Sequence, residues 1–126
     1  MLMTPEQMKS RTKAYALRVI KVVQSLPQTR LCDILGGQLL RAGTSVGANY
    51  RSACRAKSPA DFINKLKIVE EECDESLFWM ELLVEADLVK LALLSKLLDE
   101  GNALLAITVA SAKTARASNS RVNRKS

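Results

Sequence analysis

Four arginines recur along one stretch of the chain at spacings that would share a helical face. With residues set about 100° apart, Arg30, Arg41, Arg51 and Arg55 fall within roughly an 80° arc. A guanidinium pairs bidentately with phosphate oxygens, so such an arc is a usable phosphate-binding strip. An acidic stretch follows: residues 59–87 carry nine acidic and two basic side chains. The same arginines could therefore neutralise those acids, and both readings stand. Lys9, Arg11, Lys13, Arg18 and Lys21 add positive charge upstream but scatter around their own helical wheel. Arg116, Arg121, Arg124 and Lys125 close the chain as a basic tail, and the net charge is +6.

Chemistry of other kinds finds little material. The chain has no histidine, which removes the commonest acid–base group and the commonest metal ligand. Glu70, Asp74, Glu81 and Glu85 form an acidic stripe broadened by Glu71, Glu72 and Glu75. A di-metal carboxylate site in a helical bundle draws on Glu-x-x-His pairs, which this chain cannot supply. The run GGQLLRAGTSVG from Gly36 lacks the Lys-Ser/Thr ending of a phosphate loop and follows no strand. Cys32, Cys54 and Cys73 have no base to activate them and read as buried, reduced, small apolar residues. The expectation is a protein without enzymatic activity, cofactor or metal.

The elements that would position these groups are helices. Leu, Val, Ile and Ala dominate an apolar content of 48%, with only 4% aromatics, which suits packed helices. A first helix is expected from Thr4-Pro5 to about Leu26, ended by Pro27, with Tyr15, Val19, Val22, Val23 and Leu26 on one face. A second runs from the cap Thr29 to about Arg55. Its glycines are costly in a helix; Gly47 is read as a bend or break, and the glycines also permit close helix approach. A third begins at Ser58-Pro59-Ala60-Asp61 and runs to about Ala86. A fourth spans about Leu91 to Arg116, weakest at Gly101-Asn102. Short connections between long helices favour an up-and-down four-helix bundle. One domain, residues 1–116, is expected, followed by a disordered basic tail, residues 117–126.

The third helix has two apolar faces. Phe62, Leu66, Val69, Cys73, Leu77, Met80 and Val84 share the arc that would face the core. Ile68, Trp79 and Leu82 lie across from it and read as a subunit interface, against the plainer alternative of scattered surface apolar residues. No apolar run of membrane-spanning length and no secretory signal pattern is visible, so a cytoplasmic location is expected. No zinc-finger spacing or aromatic RNA-binding pattern occurs. A positive patch here would hold nucleic-acid backbones with little sequence choice; candidate contacts are Arg30, Arg41, Arg51 and Arg55 with Lys9, Lys13, Arg121 and Arg124.

From about Tyr15 to Ala115 the chain resembles the four-helix-bundle proteins related to those encoded in 23S rRNA intervening sequences. Gln38-Leu39-Leu40-Arg41-Ala42 is similar to that family's Gln-Leu-Arg-Arg-Ala stretch, and Ser45-Val46-Gly47-Ala48-Asn49 to its Ser-Ile-Pro-Ser-Asn segment. Ser58 with Asp61-Phe62 resembles its Ser-x-x-Glu-Phe helix start. The resemblance implies an all-α, left-handed, up-and-down bundle, a homopentameric ring with a basic surface, and a bacterial source. Partners it implies are further copies of the chain, RNA or DNA, and, in one branch of similar proteins, the reverse transcriptase of a diversity-generating retroelement.

Overall fold

The computed structural model describes residues 3–125, and its regular elements are four α-helices with no strand among the described residues. They are α1 Pro5–Ser25, α2 Arg30–Ala53, α3 Pro59–Glu85 and α4 Leu91–Lys125. Side-chain caps set three of the starts. Thr4 Oγ1 accepts from the Gln7 amide at 3.1 Å while Gln7 Oε1 accepts from the Thr4 amide at 2.9 Å, a reciprocal box. Thr29 Oγ1 accepts from the Cys32 amide and Ser58 Oγ from the Asp61 amide, each at 3.1 Å. The α3 terminus uses a left-handed residue. Asp87 sits at φ 59°, the Leu88 amide donates to the Leu83 carbonyl at 3.0 Å, and the Asp87 amide donates to the Val84 carbonyl at 3.0 Å. That is a Schellman closure with aspartate where glycine is usual.

The helices enclose one core. Tyr15 and Val19 of α1, Leu39 and Val46 of α2, Leu66, Val69, Cys73, Met80 and Leu83 of α3, and Leu94 and Leu104 of α4 are fully buried. On α3, the core arc expected from periodicity is buried from Leu66 to Met80, with Phe62 and Val84 half-buried at its ends. Neighbours run antiparallel: Gly43 meets Val19 and Gly47 meets Thr12 across α1 and α2, and Cys73 meets Gly101 across α3 and α4. Tyr15 Oη and Ser76 Oγ lie 2.8 Å apart in the core, and Ser76 Oγ donates to the Cys73 carbonyl at 2.7 Å. Tyr15 is thus the donor to Ser76. Arg11 of α1 closes a two-point ion pair on Glu100 of α4, both contacts at 2.7 Å.

Three expectations need correction. Gly47 makes no bend: α2 is continuous, and a Cβ there would lie 3.3 Å from the Thr12 backbone carbonyl group. The residue serves close approach of α1 rather than a break. Gly101 likewise lies inside unbroken α4 and leaves room for Leu77 and the Tyr15 hydroxyl. Beyond Arg116 the chain expected to be irregular continues as helix to Lys125. No glycine or proline interrupts it, and Val122 and Asn119 line a cleft with Pro5, Tyr50 and Phe62. Ser126, the last residue of that expected tail, lies outside the described residues. That cleft brings the start of α1, the end of α2, the start of α3 and the end of α4 to one pole of the bundle.

Candidate nucleic-acid interface

A groove of about 510 Å³ runs between α1 and α2 near this pole. Lys9 and Lys13, one turn apart, line it from α1; Arg51, in the last turn of α2, and Arg55, just past the helix end, line it from the other side. Its floor is small: Ser10, Ala16, Thr44, Gly47 and Ala48. Arg51 and Arg55 also border a second depression, which Lys57, Asp61 and Lys65 complete on the α3 side. The two grooves therefore join into one basic face across three helices.

Few acids answer this charge. Glu6 pairs with Lys9 at 2.8 Å, and Asp61 Oδ2 accepts from the Lys57 backbone amide at 3.0 Å. Among the described residues, Lys13, Arg51, Arg55, Lys57 and Lys65 make no ion pair within 4 Å. Arg51 and Arg55 also stand near the negative end of the α2 dipole, which favours cations there without cancelling them. Lys9, Lys13, Arg51 and Arg55 are thus gathered in one place. Lys57 and Lys65 were not expected from periodicity. Lys57 follows Arg55 by two residues in the α2–α3 connection, whereas Lys65 reaches the same depression from α3.

Other candidate arginines lie elsewhere. Arg41 donates to Glu72 at 3.3 Å and to Glu75 across the α2–α3 seam. The hydrogen bond to Glu75, with the charge of Glu72, raises the Arg41 pKa. The Glu75 carboxyl is held below its ordinary range, first by Arg41 and then by the Trp79 indole N–H, 3.3 Å away. Arg41 therefore follows the charge-pairing alternative. Arg30 opens α2, about 30 Å from Arg51 at 1.5 Å per residue. Arg124 shares a shallow depression with Arg116 and Asn64, on the α4 side of the α3 start, and Arg121 is exposed on α4. The four-arginine arc is divided by ion pairing and distance, not by a bend.

The candidate interface residues occupy the outer α2–α3 face. Ile68 is 41% exposed, whereas Trp79 and Leu82 are half-buried. Trp79 packs against the core edge and meets Phe78 edge-on, with ring centroids 5.0 Å apart. Phe78, 52% exposed, carries more open apolar surface than Trp79; Leu31 and Ile34 of α2 are similarly open.

Groups able to react are mostly enclosed. The Cys73 thiol is buried and donates to the Gly101 carbonyl at 3.2 Å; burial, then the charges of Asp74 and Glu100, push its pKa up to about 12. Burial also raises the Tyr15 phenol, opposed in part by the Ser76 hydrogen bond. Cys32 is buried as expected, but Cys54, at the α2 cap, is exposed on the cleft at the pole. Among the described residues, no three His, Cys, Asp or Glu side chains converge to hold a metal. No helix among them is long and apolar enough to cross a membrane.

Residues 6–110 match the family described as 23S rRNA-intervening sequence protein. The chain belongs to this family. The match ends at Ala110, so the basic last turns of α4 lie beyond the family's shared region. A crystal structure of a protein with unknown function from the S23 ribosomal protein family of Bacteroides thetaiotaomicron is similar, with a TM-score of 0.82 and 30% identity. The similarity covers 88% of this 23S rRNA-intervening sequence family chain and 99% of that one. No curated protein matches it.

Proposed function

We propose that this family member is a non-catalytic nucleic-acid-binding protein. The observation that supports the reading is the joined basic face, where five cations are left without acidic partners among the described residues. Lys9 contributes beside them, shared with Glu6. Such a face binds phosphates, releases counterions and carries no base-reading groups. Neutralising about five phosphates gives a log–log salt slope near −4.5 on duplex DNA. Arg51→Gln with Arg55→Gln should flatten that slope by about 2 and weaken unrelated sequences alike. Thermal stability should hardly change, because neither arginine is ion-paired. Loss of stability with unchanged binding, or no binding by the parent protein at low salt, overturns the reading.

A second element concerns assembly. The open apolar residues Leu31 and Ile34 of α2 and Ile68 and Phe78 of α3 favour burial against another chain. We take that chain to be a further copy, in the homopentamer that the family resemblance implies, working in a bacterial cytoplasm. The rival reading is an adaptor whose outer face docks a protein such as a reverse transcriptase. That adaptor also assembles, so strong salt-dependent affinity for RNA or DNA separates it from the first reading, and light scattering tests the assembly common to both. A mass several times 13.9 kDa supports assembly, and a monomer at micromolar concentration overturns it.

A further inference from the structure

We infer that the basic face selects double-helical over single-stranded nucleic acid. The inference rests on the phosphate-binding reading above and deepens it. Proteins that hold single strands pair a positive groove with aromatic rings on which bases stack. The chain has five aromatic side chains, and all five can be placed. Tyr15 is fully buried and bonded to Ser76. Tyr50 is 8% exposed and, with Phe62, lines the cleft at the pole, which borders the basic face at Lys57. Phe62 packs against the core from the rim of that cleft. Phe78 and Trp79 stack edge-on with each other on the α2–α3 face, far along α3 from Lys65. None lines either basic groove.

What remains is charge over small residues. Lys13, Arg51, Arg55, Lys57 and Lys65 flank a floor of small residues, Ala16, Gly47 and Ala48 among them, that offers no ring. Attraction to such a face follows the charge density of the ligand. A duplex presents one phosphate per about 1.7 Å of axis, twice the density of one of its strands. With about five phosphates neutralised, the expected salt slopes are about −4.5 for duplex and about −3.5 for single strands. Extrapolated from a common affinity at molar salt, the gap amounts to roughly tenfold or more at about 50 mM salt.

The test is fluorescence anisotropy with the full chain and three labelled probes: a mixed-sequence DNA duplex of about 20 base pairs, the matching RNA duplex, and an oligothymidine of equal total phosphate, each titrated with salt to obtain the slope. The expected result is tighter binding of both duplexes, about tenfold at low salt, with the steeper slope. One duplex bound far more tightly than the other would assign the preference to A-form or B-form geometry, and either supports the inference. Oligothymidine bound as tightly as the duplexes, or with an equal slope, overturns it. A Phe62→Leu variant guards against a hidden stacking site. Unchanged binding of all probes is expected; selective loss of oligothymidine binding would show that the cleft at the pole stacks bases, and overturns the inference. If no probe binds at low salt, the underlying phosphate reading fails, an outcome distinct from loss of the preference alone.

Discussion

Gly43→Ala should destabilise the protein although alanine is the better helix former. A Cβ at residue 43 would stand 2.8 Å from both Val19 methyls and 3.1 Å from Val19 Cβ, well inside the 3.5–4.0 Å of ordinary contact. Turning the valine cannot relieve this. Its χ1 has one strongly preferred setting in a helix, rotation moves the methyls and not Cβ, and both methyls are already engaged. The α1–α2 spacing would have to widen, against the close seat of Gly47 on Thr12. Overpacking of this kind costs about 1–3 kcal/mol, offset by about 1 kcal/mol of helix propensity, so the net loss is about 1 kcal/mol. Gly37 is the control in the same helix. Nothing lies within 4 Å of its added Cβ, and Gly37→Ala should gain about 1 kcal/mol. Urea titrations followed by circular dichroism, at one fixed protein concentration so that assembly does not intrude, would read the difference of about 2 kcal/mol between the variants. In a double-mutant cycle with Val19→Ala, the Gly43→Ala penalty should shrink by about 1 kcal/mol. If Gly43→Ala proves as stabilising as Gly37→Ala, the helices are free to part there and the packing argument fails.

Asp87→Gly should stabilise by about 0.5 kcal/mol, since the left-handed φ of 59° burdens aspartate more than glycine; a lower urea midpoint would count against that account. A thiol reagent should label Cys54 first and Cys73 last, because Cys54 is exposed and the Cys73 thiol is buried with a pKa of about 12; mass spectrometry of the native protein after short exposure, with Cys54→Ser as control, gives the order. Glu75 binds its proton more weakly when folded than its ordinary value of 4.5, so its contribution is present above that pH and fades as pH falls below it. Arg41→Gln should flatten this acid-side loss while leaving nucleic-acid affinity nearly unchanged; a large drop in affinity would place Arg41 among the binding groups after all.

Helix starts were legible because each cap is local: Thr4, Thr29 and Ser58 bond to amides three residues on. Ends were less so. The closure at Asp87 uses a left-handed residue that is not glycine, and nothing in the polar run after Arg116 marks how far α4 extends. Propensity alone makes Gly47 a breaker; the Thr12 backbone packed beside it is information from another helix. The site shows the same division. Arg51 and Arg55 share a face whatever surrounds them. That Arg41 bends away to Glu72 and Glu75, or that Lys65 joins Arg55, depends on how α2 and α3 are laid together. Trp79 sits near the α2 border of its wheel, so its half-burial follows from the partner helix and not from its own period.

The placement of charge along the bundle has a consequence for approach. Arg51, Arg55, Lys57, Lys65, Arg116 and Arg124 crowd the pole where α3 begins, whereas Glu81, Glu85 and Asp87 lie at the far end of the same helix. A molecule so arranged carries an electric moment along its long axis in addition to its net charge of +6. In the field of a polyanion it experiences a torque as well as a pull, and turns its basic pole forward before contact. Collisions in the wrong attitude are corrected in flight, so association is fast at low ionic strength and slows steeply once the screening length falls to about 10 Å near 0.1 M salt. The opposite pole, where Glu81, Glu85 and Asp87 stand among Lys21, Arg30 and Lys90, carries little net charge and trails.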